Sequence, residues 1–502
     1  MRRLLAFAAA AMSVVLVAGC SGAPEVTPVV PSVMPSPPSG LESFYSQPAT
    51  WRNCGNADCM LVKVPLDYSN PTGATIELNV SRVSTGEGDL GSLFVNPGGP
   101  GGSAFDYAKF AESVVSADVL EHYDLIGVDP RGVASSSPIE CLTDEQKDSL
   151  AAADSTPDSP AEVSELESVS AELREGCAAS ESPLYGRMGT VDAARDLDIV
   201  RSVIGDPAFN YLGKSYGTYL GAVYAELFPT NVGRMVLDGV LPASTDLVET
   251  TRVQAVALEG ELRNFAQHCS ESDQCPWQGS ADDIVTQMQQ WFTSLDAKPL
   301  IATDGRQLTQ ALAQSAVVSY LYFPPGDYEA LIPAFSSAVT KAQPDELLKL
   351  RDQRAERDAQ GHYTSNAFEA FYAVTCIDRP FDGTASDVSA LAQEWSSEAP
   401  TFGPALAWGL LGCVGWPVAE GMSAPITDVS AAGSAPILVV GTTYDPATPY
   451  SWAEQVAGEL ENAALLTWGA HQHTAYSRGS ACIDEQVDAY LLSGKLPVQQ
   501  RC

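Results

Sequence analysis

Apolar residues in the first half of the chain follow two rhythms. Short runs of alternating or continuous apolar residues predict strands: Met60-Leu-Val-Lys-Val, Thr75-Ile-Glu-Leu-Asn-Val, Ser92-Leu-Phe-Val, Tyr123-Asp-Leu-Ile-Gly-Val, Asn210-Tyr-Leu and Arg234-Met-Val-Leu. Between them Val191, Ala194, Leu197, Val200 and Ile204 fall on one helical face, which predicts an amphipathic helix over 190–204. A second helix is predicted over Tyr219 to Phe228. Strands alternating with helices imply a mostly parallel sheet covered by helices. From 246 to about 420 the period is mostly helical, with no clear buried strand, and strand signals return at Pro436-Ile-Leu-Val-Val and Ala464-Leu-Leu-Thr-Trp. The reading is an α/β core over 44–245 and 421–502, interrupted by a helical cap over 246–420. No internal repeat is visible.

The first residues carry a different signal. Arg2 and Arg3 precede an apolar run, Leu4 to Val17, that is short for a membrane span and reads as an export signal over 1–19. The run ends in Val17-Ala18-Gly19-Cys20, which resembles a bacterial lipobox and implies cleavage before Cys20 and a lipid on its sulfur. Residues 20–43, rich in Pro, Ser and Gly, then read as a flexible tether. The expected place is the outer face of the cell membrane. Of 11 cysteines, setting Cys20 aside leaves ten, an even number that suits disulfides in an exported chain. Sequence does not give connectivity. Pairing nearest neighbours would join Cys54 to Cys59, Cys141 to Cys177, Cys269 to Cys275, Cys376 to Cys413, and Cys482 to Cys502. No C-x-x-C occurs, and no histidine sits with cysteines at zinc spacing, so no metal site is expected. The net charge of −36, from 27 basic and 63 acidic side chains, argues against nucleic acid as a partner and reads as a solvated acidic surface.

Chemistry concentrates at strand ends. Gly213-Lys214-Ser215-Tyr216-Gly217 lies between a predicted strand and a predicted helix, where a serine nucleophile can stand proud of a sheet on a sharp turn. Asn96-Pro97-Gly98-Gly99-Pro100-Gly101-Gly102-Ser103 follows an earlier strand. Such a turn can aim a backbone N–H at an oxyanion, with the N–H of Tyr216 as the second donor. A phosphate loop fits less well, because no G-K-[ST] closes that turn. In the order serine, acid, histidine, the base should lie late in the chain, at His471 or His473. Asp445 follows a strand and lies in Asp445-Pro446-Ala447-Thr448-Pro449, where the Thr448 hydroxyl could brace the carboxylate. Asp238, at the end of the strand after the elbow helix, is its rival. Asp129-Pro-Arg131-Gly is expected to hold a buried Asp–Arg pair that fixes a turn.

Together these motifs resemble the tripeptidyl aminopeptidases, exported relatives of prolyl aminopeptidase that include mycobacterial lipoproteins of the carboxylesterase A type. The resemblance rests on Asn96-Pro-Gly-Gly-Pro-Gly-Gly-Ser, Asp129-Pro-Arg-Gly, Gly213-Lys-Ser-Tyr-Gly-Thr-Tyr-Leu-Gly, Asp445-Pro-Ala-Thr-Pro and His473-Thr-Ala-Tyr. It spans about 90–245 and 410–502. It implies an α/β-hydrolase fold with Ser215 as nucleophile, Asp445 as acid, His473 as base, and Gly99 and Tyr216 as oxyanion donors. His471 departs from the pattern, since Gln472 stands where a glycine commonly precedes the base. The implied activity is release of short, tripeptide N-terminal fragments from a peptide or protein substrate, with no cofactor. Glu369 and Asp378 are candidate cap carboxylates for the substrate ammonium. An esterase or lipase, or a non-catalytic surface binding lipoprotein, are the alternative functions. Oligomeric state is not readable.

Overall fold

The computed structural model describes residues 32–502. The predicted export signal, Cys20 and the first part of the tether lie outside the described residues. The strands, in chain order, are β1 (Arg52–Asn53), β2 (Asp58–Pro65), β3 (Thr75–Val83), β4 (Ser92–Asn96), β5 (Asp124–Val128), β6 (Phe209–Lys214), β7 (Val232–Asp238), β8 (Leu300–Ile301), β9 (Gln307–Leu308), β10 (Ile437–Thr442) and β11 (Ala463–Trp468). Nine form one sheet in the order β1-β2-β3-β5-β4-β6-β7-β10-β11; β8 and β9 make a small separate hairpin. Pairing is antiparallel from β1 through β3 to β5 and parallel from β5 to β11. This is the α/β-hydrolase arrangement. Strands β4, β6 and β10 are buried at every position because helices cover both faces, which is why they read as apolar runs rather than alternations.

Register brings the chemistry to one edge. Asn96 pairs with Gly213, Lys214 with Asp238, and Val440 with Asp238. The glycine turn, the serine elbow and the loops after β7 and β10 therefore leave the carboxyl ends of neighbouring parallel strands, where α/β sheets place their ligands. The amphipathic helix forms over Thr190–Ile204, stopped by Gly205 in the left-handed region at φ 92°.

The insertion is helical but packs in two ways. Helices from Leu247–Ser270 to Asp345–Arg354 enclose a core of their own, including Leu262, Phe265, Ile284, Phe292, Val317 and Phe335. Helices Ala367–Asp378, Ala385–Trp395 and Gly403–Gly409 instead send Ala373, Ile377, Val388, Trp395 and Trp408 into the core beneath the sheet. Helical period marks a buried face but not what covers it, so the sequence could not divide the insertion.

All five nearest-neighbour cysteine pairs are disulfides. Cys376–Cys413 ties the helix Ala367–Asp378 to the turn before residue 414. The expected Asp129–Arg131 pair does not form. Arg131 makes a fork to Asp196 at 2.8 and 2.7 Å, while Asp129 accepts from Ser103 Oγ, Phe105 N and Ser135 N at 2.8, 2.9 and 3.0 Å. Both are buried, and each braces a different neighbour of the turn.

Candidate active site

Ser215 occupies the junction between β6 and the helix Tyr216–Leu227, with φ 55° and ψ −127°. That strained turn is held on both sides. Ser215 N–H donates to Asp238 O at 3.0 Å, and Ser215 O accepts from Thr218 N at 2.8 Å. A side chain at Gly213 would place Cβ 2.4 Å from Gly217 O, so the elbow's glycines let the two arms of the turn meet. The serine itself is half-buried.

Asp445 and His473 meet as the resemblance implies. His473 Nδ1 stands 2.9 Å from both Asp445 oxygens. Asp445 also accepts from the N–H groups of Ala447, Thr448 and Thr474 at 2.9, 2.8 and 3.1 Å, and from Thr448 Oγ1 at 2.9 Å. These donors fix the carboxylate in place beside the ring. Thr448 Oγ1 lies 3.3 Å from His473 Nδ1, so it braces the pair as expected. The insertion contributes Tyr322, whose carbonyl accepts His473 N–H at 2.9 Å and whose ring meets the imidazole edge-on. The Ser215 hydroxyl is not within hydrogen-bond reach of the His473 ring among the described residues. In many hydrolases that contact tightens only around substrate.

The rivals have other partners. His471 Nδ1 pairs with the buried Glu261 at 2.9 Å, and its ring stacks on Tyr444 with centroids 4.1 Å apart. Asp238 accepts the N–H groups of Ala475 and Tyr476 at 2.9 and 3.0 Å rather than binding a histidine ring.

Gly98 fits against the elbow so closely that a Cβ there would lie 2.5 Å from Lys214 O and 2.8 Å from Ser215 Cβ. The turn thereby sets Gly99, Tyr216 and Ser215 on the wall of one cavity of about 200 Å3. Tyr216 heads its helix, where first-turn N–H groups have no acceptor within the helix. Leu247, Val374, Leu406 and Leu410 give the cavity apolar walls, and Asp378 and Arg379 give it charge. Asp378 accepts from Thr190 N at 2.8 Å and from Thr190 Oγ1, which also meets Tyr216 OH at 2.6 Å. Burial pushes the Asp378 carboxyl up to about 6, against the opposing hydrogen bonds from Thr190. Arg379 is held by the carbonyls of Pro242 and Thr245 at 2.8 and 2.9 Å, above the Tyr219 ring. Glu369 lies on the same helix but faces Lys147 Nζ at 2.8 Å and does not border this cavity. Sequence reasoning missed Thr190, Tyr322 and Arg379. Only Arg379 had a signal, its place beside Asp378.

Curated relatives match almost the whole chain. Serine protease Hip1 of Mycobacterium tuberculosis is 33% identical over 91% of this chain and 91% of its own length. Carboxylesterase B of the same species is 34% identical over 88% and 85%, and the tripeptidyl aminopeptidase of Streptomyces lividans is 32% identical over 89% and 83%. A family profile described as "TAP-like protein" matches residues 399–502, the stretch that holds Asp445 and His473. The chain belongs to the tripeptidyl-aminopeptidase-like family of α/β-hydrolases. It is a serine hydrolase, as its family members are. Among the described residues no helix is long and apolar enough to cross a membrane.

Proposed function

We propose that the protein is an exported, lipid-anchored peptidase that removes short N-terminal fragments from peptides through an acyl-enzyme on Ser215. The observation that carries this is that Ser215, Gly99, Tyr216 and Thr448 line one cavity, while Thr448 also bonds Asp445 and lies against His473. His473 Nε2 takes the Ser215 proton as the oxygen attacks the substrate carbonyl. Asp445 holds Nδ1–H and stabilises the imidazolium. The amides of Gly99 and Tyr216 take the charge that develops on the carbonyl oxygen. His473 then gives its proton to the departing amine, and water, deprotonated by the same ring, releases the acyl group and restores Ser215.

Asp378 selects the substrate in this reading. It is the carboxylate on the wall of the nucleophile's cavity, and ionised it takes an ammonium group there. Glu369 is engaged elsewhere by Lys147. A panel of free and N-acetylated tripeptide amides tests the reading: free peptides are expected to turn over faster, and equal rates would remove the aminopeptidase assignment. The apolar walls and the carboxylesterase relative favour one second reading, an esterase, which acyl-ester turnover without peptide cleavage would establish. Anchoring at Cys20 is checked by radiolabelled lipid, expected on the wild type and absent from Cys20→Ala.

A further inference from the structure

We infer that Asp238 and Lys214 form a positioning pair that holds the His473 loop in register with Ser215; this rests on the catalytic roles proposed above. Asp238 ends β7 fully buried, yet it binds two separate parts of the site. Its carbonyl takes the N–H of Ser215 at 3.0 Å. Its carboxylate takes the N–H of Ala475 at 2.9 Å and of Tyr476 at 3.0 Å, two and three residues beyond the base. Lys214, the residue before the nucleophile, pairs with Asp238 in strand register. Its ammonium donates to Tyr476 O and stands 3.7 Å from Asp238 Oδ2. The same two residues thus flank the nucleophile on one side and grip the base's loop on the other.

A buried ion pair is a weak source of stability, because desolvation offsets most of its attraction. Its value here is geometric. Neither side chain reaches the cavity beside Ser215, so the pair acts through His473 and not on substrate. Burial pulls the Lys214 ammonium down to about 8, with Asp238 and Asp484 favouring its charge and Arg478 opposing it. His473, Tyr107 and Tyr476, whose ring centroid lies 5.9 Å from the Lys214 ammonium, also face the pair. As pH rises through about 8 the ammonium loses its proton, and the Asp238 carboxylate is left in the interior without its cation. Alignment of His473 with Ser215 should weaken while the substrate cavity stays intact.

The test measures kcat and KM from pH 6 to 9.5 with a p-nitrophenyl acyl ester, which has no amine to titrate. Wild type, Lys214→Met, Lys214→Arg and a Ser215→Ala control are compared, each with its thermal unfolding midpoint. Wild-type kcat should fall above about pH 8 with KM unchanged. Lys214→Arg, whose guanidinium stays charged, should move that limb up by a pH unit or more. Lys214→Met should lower kcat at pH 7 by about tenfold, leave KM unchanged and show no limb. If Lys214→Met does not fold, wild type and Lys214→Arg decide the matter. A flat wild-type kcat to pH 9.5, or Lys214→Met with the wild-type profile, overturns the inference. Residual activity in Ser215→Ala overturns the underlying reading instead.

Discussion

Thr448 and Asp378 are single side chains whose removal separates chemistry from recognition. Thr448→Val removes a hydroxyl bonded to Asp445 Oδ2 at 2.9 Å while the Thr448 N–H bond persists. One charge-assisted bond of roughly 1.4 kcal/mol is worth about a factor of ten, so kcat should fall about tenfold with KM little changed. Asp378→Asn should raise KM for free tripeptides and leave N-acetylated ones unaffected. Because the Asp378 carboxyl sits at about 6, KM for free tripeptides should also fall as pH rises through that value and the carboxylate forms. A KM independent of pH between 5 and 7 would remove Asp378 from ammonium binding. At this scale the sequence was legible where neighbours in the chain act together, as in Asp445 and Thr448 or the elbow glycines. It was not legible where a side chain's partner depends on packing. Arg131 chose Asp196 over Asp129, and Glu369 and Asp378, both acids on one helix, face different surroundings.

Elements carry the site through register and through one helix. The apolar runs located β4, β6, β7 and β10 correctly because strands buried on both faces have little freedom in composition. They could not show that Ala367–Asp378 belongs to the core, nor that it walls the Ser215 cavity through Val374 and Asp378. Cys376–Cys413 fixes that helix to Leu410 and Cys413, which border the same cavity. Replacing both cysteines by serine should cost about 2–4 kcal/mol, the usual value of a disulfide. It should raise KM more than it lowers kcat, since β6, β10 and β11, which precede Ser215, Asp445 and His473, are untouched. Denaturant unfolding and steady-state kinetics on the same preparation check both. A kcat loss with KM unchanged would show that the helix does not shape the cavity.

The whole molecule carries a net charge of −36 and several buried acids. Burial raises the carboxyls of Asp129, Asp206, Asp238, Glu259 and Asp378 above their usual values. Such groups favour the fold while protonated, and that contribution is lost as pH rises through their folded values, to about 6 for Asp378. Hydrogen bonds lower Asp67, Asp144, Asp283, Asp345 and Asp387, whose contribution is present above the unfolded value of 3.8 and lost in acid. The two sets, with self-repulsion added, place maximum stability in mild acid. The thermal unfolding midpoint should therefore fall from pH 5 to pH 8 at fixed ionic strength, and a rise over that range would contradict the balance. Above all these stands the claim that one serine does the chemistry. Intact-mass and peptide mapping after a fluorophosphonate probe tests it most directly. A single adduct is expected on the peptide containing Ser215, absent from Ser215→Ala and formed at least about 100-fold more slowly in His473→Ala. Labelling of Ser215→Ala at the wild-type rate, or an adduct on another serine, would contradict it.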